Sequence, residues 1–411
     1  MIWRNEARTG RAMRVTKKKT SLTLHRGATL SIQPRIRKGA FFEASWRYGC
    51  RKFSVYNRTF ISSTFSDPLE EYWKVIKDVA IWPVMGERQV EISGPDAAEF
   101  VQFLTPRNMS KCAVGQCKYA LITAADGGIV SDPIILKLAE DRFWLSTSDS
   151  DLELWANGVA VHSPFRNVTI RDANVSVIQV QGPKSPRLMA NLFGEEVLDL
   201  RYYWFMPADF QGHELKISRT GWSGEFGYEI YLENPDQGDA LFDALMEAGQ
   251  SSNVAPGAVS QIRRIESGIL SWGVDMGLDE TPFEVGLGRL VELETTPDFV
   301  GRAALEALKD KPLSKTLVGL TIGGDALETN ETAWPLFAGE LRAGKLTSLA
   351  YSPRLESNLA LGLVAPEHAD IGTTFSVETW RGTQRATVSK FPFLPKLQSG
   401  NARELFAASA V

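Results

Sequence analysis

The sequence predicts an α+β protein with a small β-barrel or jelly-roll-like domain at its C-terminus. Three observations carry this. Helix-spaced and strand-spaced runs are interleaved through the first three quarters of the chain without regular βαβ spacing, which argues against a doubly wound parallel sheet. Asp310-Lys311-Pro312-Leu313-Ser314 reads as a linker. Beyond it only short β segments and turns remain, as a small barrel requires. The expected division is a basic, poorly ordered extension over 1–40, a main body over 41–312 and a barrel domain over 313–411.

The elements follow in order. DPLEEYWKVIKD has helical spacing, with Leu69, Tyr72, Trp73 and Ile76 on one face, Asp67 as N-cap and Pro68 in the first turn. Gln89 to Ile92 alternates like a strand and stops at Ser93-Gly94-Pro95, after which Asp96 opens a helix to Leu104. Tyr119 to Thr123 and Ile129 to Leu138 read as strands around the hairpin turn Asp126-Gly127-Gly128. A helix over Ser185 to Phe193 follows Gly182-Pro183. Strands near Glu214 to Arg219 and Tyr228 to Glu233 flank a Gly-rich stretch. Gln237 to Glu247 is helical, and Val259 to Ser267 forms a helix that ends at Gly268. In the last quarter, Val318 to Ile322, Lys345 to Ser348, Leu359 to Val364 and Thr374 to Val377 are strands.

Composition narrows the function. The chain has 411 residues, 44% hydrophobic and 23% charged, with a net charge of −4, which offers no basic face for nucleic acid. Cys50, Cys112 and Cys117 form no C-x-x-C pair, and the four histidines form no H-x-x-x-H pair. Neither a disulfide framework nor a metal site is expected, and reduced thiols fit a cytoplasmic setting. No apolar run reaches the roughly 18 residues of a membrane span. The first 38 residues carry eleven Lys and Arg against one acid, Glu6. An organelle transit segment would look like this. Without an amphipathic period, a loosely ordered tail, or a true start at Met13, is the reading preferred.

Phosphate-loop, dinucleotide and nucleophile-elbow motifs are missing. Arg219 to Glu229, RTGWSGEFGYE, is Gly-rich, but its spacing fits no phosphate loop; on its residues alone it is a tight hairpin with glycines at positive φ. Yet RTGWSGEFGYEI resembles the R-T-G-Y-x-G-E-x-G-[FY]-E-[IL] signature of the glycine-cleavage T-protein (aminomethyltransferase) family. GQCKYALITAADGGIVSDP, IRRIESGILSWG, TPFEVGL, DFVGRAAL and LTSLAYSPRLESNLALGLV resemble further family segments, all in order from about residue 55 to 395. Within the family, VYNRTF, GERQVEISGPDA and LTPRNMSK look closest to the dimethylsulfoniopropionate demethylase branch. Met85-Gly86 stands where the T-protein carries Ser-His. Pro83 and Trp222 depart from the expected Asp and Tyr.

The resemblance implies a folate-binding body of two intertwined subdomains, tetrahydrofolate as cofactor, and transfer of a methyl group from a small methylated zwitterion to N5 of tetrahydrofolate. It assigns Asp132 to catalysis, as a carboxylate that stabilises and deprotonates N5. It assigns Glu229 to the pterin edge, Arg264 to a folate contact and Tyr119 to packing near the cofactor. For the cation of a sulfonium donor, Trp204, Trp222, Tyr231 and Trp272 are aromatic candidates; Tyr231, two residues beyond Glu229 on one strand, shares its face. A sulfonium leaves as a neutral thioether and needs no general acid. An aryl ether would need one, for which Tyr203, Tyr228 or Tyr231 is available. Dimethylglycine, sarcosine and a methoxylated aromatic acid remain as other donors, and a non-catalytic folate-binding iron–sulfur maturation factor as the non-enzyme reading. The partners implied are the small-molecule donor, with neither nucleic acid nor membrane and a homodimer left open.

Overall fold

The computed structural model describes residues 33–409, so most of the basic N-terminal segment lies outside the described residues. Two antiparallel-rich sheets form the body. The five-stranded sheet runs, in spatial order, Thr169–Asp172, Gln89–Ser93, Arg142–Ser146, Ile134–Ala139 and Cys117–Tyr119. The six-stranded sheet runs Phe205–Phe210, His213–Ser218, Gly227–Leu232, Ser176–Gln181, Val79–Pro83 and Val254–Pro256, with only the last pair parallel. One face of the six-stranded sheet packs Ile178, Val180, Ile217, Tyr228 and Ile230 against the helices Ser185–Phe193 and Gly238–Ala248. Its other face meets the five-stranded sheet: Trp82, Val177 and Tyr231 pack with Cys117, Leu136 and Trp144. Strand alternation makes this division, because successive side chains point to opposite faces.

The C-terminal strands Thr316–Ile322, Ser357–Val364, Leu341–Ser352, Trp334–Ala338, Thr374–Thr379 and Gly382–Ser389 close into a six-stranded barrel. Closure comes from the first strand, which pairs on both sides. Leu320, Leu336, Leu346, Leu349, Ala360, Val364, Val377 and Ala386 fill it and are all fully buried. The α+β expectation with a small β-barrel therefore holds; the barrel is closed.

Local signals placed several elements well. The helix Pro68–Lys77 begins at Asp67, whose carboxylate accepts the Leu69 amide, and Gln261–Ser267 ends at Gly268 in the left-handed conformation. The face of the first is rotated from the expected one: Tyr72 and Val75 are buried, whereas Leu69 is exposed. Asp96 precedes the helix Ala97–Leu104 but does not cap it, because its carboxylate accepts the amides of Arg166 and Asn167 instead. The strand expected over Ile129 to Leu138 breaks at Asp132-Pro133, since proline supplies no ladder N–H. No helix among the described residues is long and apolar enough to cross a membrane.

Candidate active site

Between the two sheets, beside the apolar contacts of Trp82, Val177 and Trp144, lies a cluster of polar side chains. Glu229 lies on Gly227–Leu232, in register with Gln179 on one neighbouring strand and Ser218 on the other. It is 3% exposed. Its Oε1 accepts Gln179 Nε2 at 2.7 Å, and its Oε2 accepts the hydroxyls of Tyr231, at 3.0 Å, and Thr220. Burial pushes the carboxyl pKa up, against these three donors. The Gly-rich stretch has a clear structural task. Thr220 holds Glu229, Ser223 donates to Gln181 Oε1 at 2.5 Å, and Glu225 pairs with Arg263 at 2.5 Å. A Cβ at Gly221 or Gly227 would stand 2.4 Å from the Gln181 amide, so these glycines make room for that side chain. Only Gly224 of the three has a positive φ, which corrects the expectation of a turn needing left-handed glycines throughout.

Asp132 is set between Ile129–Ser131 and Pro133, and its Oδ2 accepts the Tyr119 hydroxyl at 3.1 Å. Its Oδ1 is buried without a partner. Burial raises its pKa to about 7, although the Ser148 and Tyr119 hydroxyls favour the carboxylate. A third acid, Glu87, comes from the turn after Val79–Pro83. Its Oε1 accepts Ser146 Oγ at 2.6 Å, and burial together with the charges of Glu229 and Asp132 drives its pKa up. Asp132, Glu87 and Tyr119 are half-buried, and Glu87 feels the charges of both Asp132 and Glu229, so the acids form one polar cluster.

A hairpin closes one side. Lys52–Tyr56 and Thr59–Thr64 are joined by Asn57 and Arg58, both at positive φ, as a two-residue turn between twisted strands requires. Asn57 Nδ2 donates to the carbonyls of Gly86 and Ser148, which pins the turn beside the cluster. Tyr56 then rests on Gly86, where a Cβ would come within 2.9 Å of it, and feels the charges of Asp132, Glu87 and Asp149. Met85 packs into the core. The Met85-Gly86 departure thus goes with a tyrosine laid across this side.

The structure distributes the remaining expected residues widely. Arg264 is 2% exposed. It donates to Asp275 and Ser348 at 2.7 Å each, to Gln261 at 2.6 Å and to the Ile269 carbonyl, which ties its helix to the barrel. Its guanidinium also lies 5.5 Å from the Trp222 ring centre. Arg201 covers Trp204 at 3.8 Å. Trp272 donates to the Ile129 carbonyl at 2.9 Å and lines an open apolar groove of about 630 Å³ with Val130, Trp155 and Leu278. Tyr231 packs on Trp144, and no ring–ring contact among the described residues joins the four aromatic candidates. Tyr203 takes a φ of 60°, held by Arg219 and Cys117 backbone bonds, and burial raises its hydroxyl pKa.

Comparison with known proteins gives the arrangement its place. Residues 35–295 match the family model described as the GCVT N-terminal domain, and residues 315–394 match the glycine cleavage T-protein C-terminal barrel domain. The chain belongs to the glycine-cleavage T-protein family. A dimethylsulfoniopropionate demethylase from Ruegeria pomeroyi is 38% identical over 362 residues, 88% of this chain and 98% of that protein. An aminomethyltransferase of Desulfitobacterium hafniense is 31% identical, over 76% of this chain and 86% of its own. The solved aminomethyltransferase T of Bartonella henselae superposes with a TM-score of 0.80 at 23% identity, over 88% of this chain and 99% of that one, which shows the shared fold. As a T-protein family member, the chain is a tetrahydrofolate-dependent one-carbon transferase. Its residues suit that cofactor: the orphaned acceptor on Asp132 and the deep carboxylate of Glu229 are acceptors for the N–H donors of a reduced pterin.

Glu87, Tyr56 and Gln179 escaped the sequence reading as site residues. The first two lie inside segments already singled out, GERQVEISGPDA and VYNRTF, so the signal was present. Nothing in those strings shows that Glu87 and Tyr56 face Asp132.

Proposed function

We propose that this transferase demethylates a small onium zwitterion, with dimethylsulfoniopropionate the favoured donor, and passes the methyl group to tetrahydrofolate. One observation carries the reading: Glu87, Asp132 and Glu229 are close enough for Glu87 to feel the charges of the other two, and no Lys or Arg among the described residues pairs with any of them. The three are not placed to hold a metal ion together, since the described residues contain no such group. Buried carboxylates without a cation are costly. A donor with a permanent positive charge offsets that cost, and an anionic methoxylated acid adds to it. The 38% identity to a dimethylsulfoniopropionate demethylase supports the same choice.

Tetrahydrofolate, when bound, supplies the nitrogen nucleophile. The residues of this chain would do the rest. Glu229 and Tyr119 would hold the pterin; Arg264, with one Nη2 hydrogen uncommitted, can add at most a single bond. Asp132 Oδ1, free of protein donors and on a carboxyl whose pKa is about 7, would take the proton released at nitrogen. The sulfonium carbon needs alignment rather than acid, because a neutral thioether leaves. Glu87 would face the sulfonium charge. Tyr231 stands beside Glu229 as the aromatic candidate nearest these acids; Trp204, Trp222 and Trp272 would each contribute from a separate setting.

The test is methyl transfer by the purified protein with tetrahydrofolate and, separately, dimethylsulfoniopropionate, dimethylglycine, sarcosine and vanillate. 5-Methyl-tetrahydrofolate from the sulfonium alone is expected. Product from an amine or an aryl ether, with none from the sulfonium, would overturn the donor.

A further inference from the structure

Gln179 is in the middle of the six-stranded sheet, between Glu229 on one side and Trp82 on the other, and is 1% exposed. Its Nε2 donates to Glu229 Oε1 at 2.7 Å. The amide nitrogen is thus turned to Glu229, and the carbonyl oxygen is the end left over. The carbonyl oxygen is buried and has no donor. Trp82 does not supply one, because its indole nitrogen sits by Gly257 and is itself unpartnered. An orphaned buried acceptor is costly, and native interiors seldom keep one without a use. Gln181, two residues along the same face, is by contrast satisfied at both ends. Its nitrogen reaches the Tyr228 and Thr220 carbonyls, and its oxygen accepts Ser223.

Glu229 cannot satisfy a pterin by itself. Thr220 and Tyr231 occupy Oε2, and Gln179 takes one of the two lone-pair positions on Oε1. A single acceptor position remains there. The reduced pterin, however, presents an edge with two adjacent donors, the ring N3–H and the exocyclic 2-amino group. We propose that Gln179 is a cofactor-binding residue whose carbonyl accepts the pterin 2-amino group beside Glu229 Oε1. An amino group carries two N–H bonds and can serve both acceptors, which ring N3–H cannot. This inference rests on tetrahydrofolate as cofactor and is independent of the methyl donor.

The test measures binding in a double-mutant cycle without any donor present. Tetrahydrofolate and its 2-desamino-2-methyl analogue are titrated calorimetrically into the wild-type chain and Gln179→Met. The variant is expected to bind tetrahydrofolate at least tenfold more weakly and to lose little further affinity for the analogue. Equal losses for both ligands would mean that Gln179 only orients Glu229, and unchanged binding would mean that its carbonyl holds a water only; either result overturns the proposal. If the methionine variant does not fold, Gln179→Asn, which keeps the amide but withdraws it by one methylene, is read by the same cycle. A wild-type chain that binds tetrahydrofolate but demethylates no sulfonium would defeat the donor assignment and leave this one standing.

Discussion

Two sets of buried acids can be compared within this molecule. At the junction of body and barrel, three buried acids each have a cation. Asp275 accepts Arg264, Thr347, Ser348 and the Ser271 amide; Glu266 accepts Arg354, Tyr72 and Ser352; Glu225 accepts Arg263. In the cluster between the sheets, Glu87, Asp132 and Glu229 have hydroxyls and an amide but no cation. The junction acids and Glu229 are buried and Asp132 and Glu87 half-buried, but the sharper difference is compensation. A closed ion pair is finished structure, whereas an acid left short of positive charge keeps its unmet demand for whatever enters. Removing a member should therefore harm stability in the first region and function in the second.

The comparison breaks first at Asp132. Asp132→Asn should lower turnover by about 10²–10⁴-fold, the usual worth of a positioned proton acceptor, while the thermal midpoint stays or rises. Full turnover with normal folate binding would remove Asp132 from the mechanism. The mirror experiment is Asp275→Ala. It leaves Arg264 buried and unpaired, which should cost about 3–5 kcal/mol of stability in denaturant unfolding. Little loss would show that the junction is no better compensated than the cluster. Glu87→Gln should be milder: roughly a tenfold rise in KM for a sulfonium donor, or about 1.4 kcal/mol, with kcat little altered. A KM that does not move would mean that Glu87 does not face the cation.

A further effect is in pH. Asp132 has a folded pKa near 7 against an ordinary 3.8, so the native state binds more protons than the unfolded state between those values. Stability from this group is greatest at low pH and falls as pH rises through that window, by up to about 1.4 kcal/mol per unit. Melting the wild type and Asp132→Asn from pH 5 to 8 should give a flatter profile for the variant; parallel profiles would contradict the shift.

Legibility in the sequence followed the range of the interaction. Ser185–Phe193 was readable to the residue because its start follows Gly182-Pro183 and its spacing is regular. Ser176–Gln181 and Val79–Pro83 were not readable. Both are central strands with no exposed alternating face, so no period announced them. The helix Leu152–His162 was missed for a related reason: Leu154 and Val161 are exposed on it, which blurs its apolar stripe. At the site, Asp132, Tyr119 and Glu229 came from motif likeness. Glu87 and Gln179 depend on contacts across 59 and 50 residues of chain, beyond the reach of any local pattern.

The Gln181 side chain has a last consequence. It passes between Gly221 and Gly227, neither of which can accept a Cβ without meeting its amide at 2.4 Å, while Ser223 grips its oxygen. The loop is threaded around this one residue. A larger residue at either glycine is blocked until position 181 has shrunk, and a smaller residue at 181 leaves Ser223 and two carbonyls unmet until the loop has changed. In mutational history the four positions form a lock that opens only in a set order, and the loop beside Glu229 should drift far more slowly than its surface neighbours.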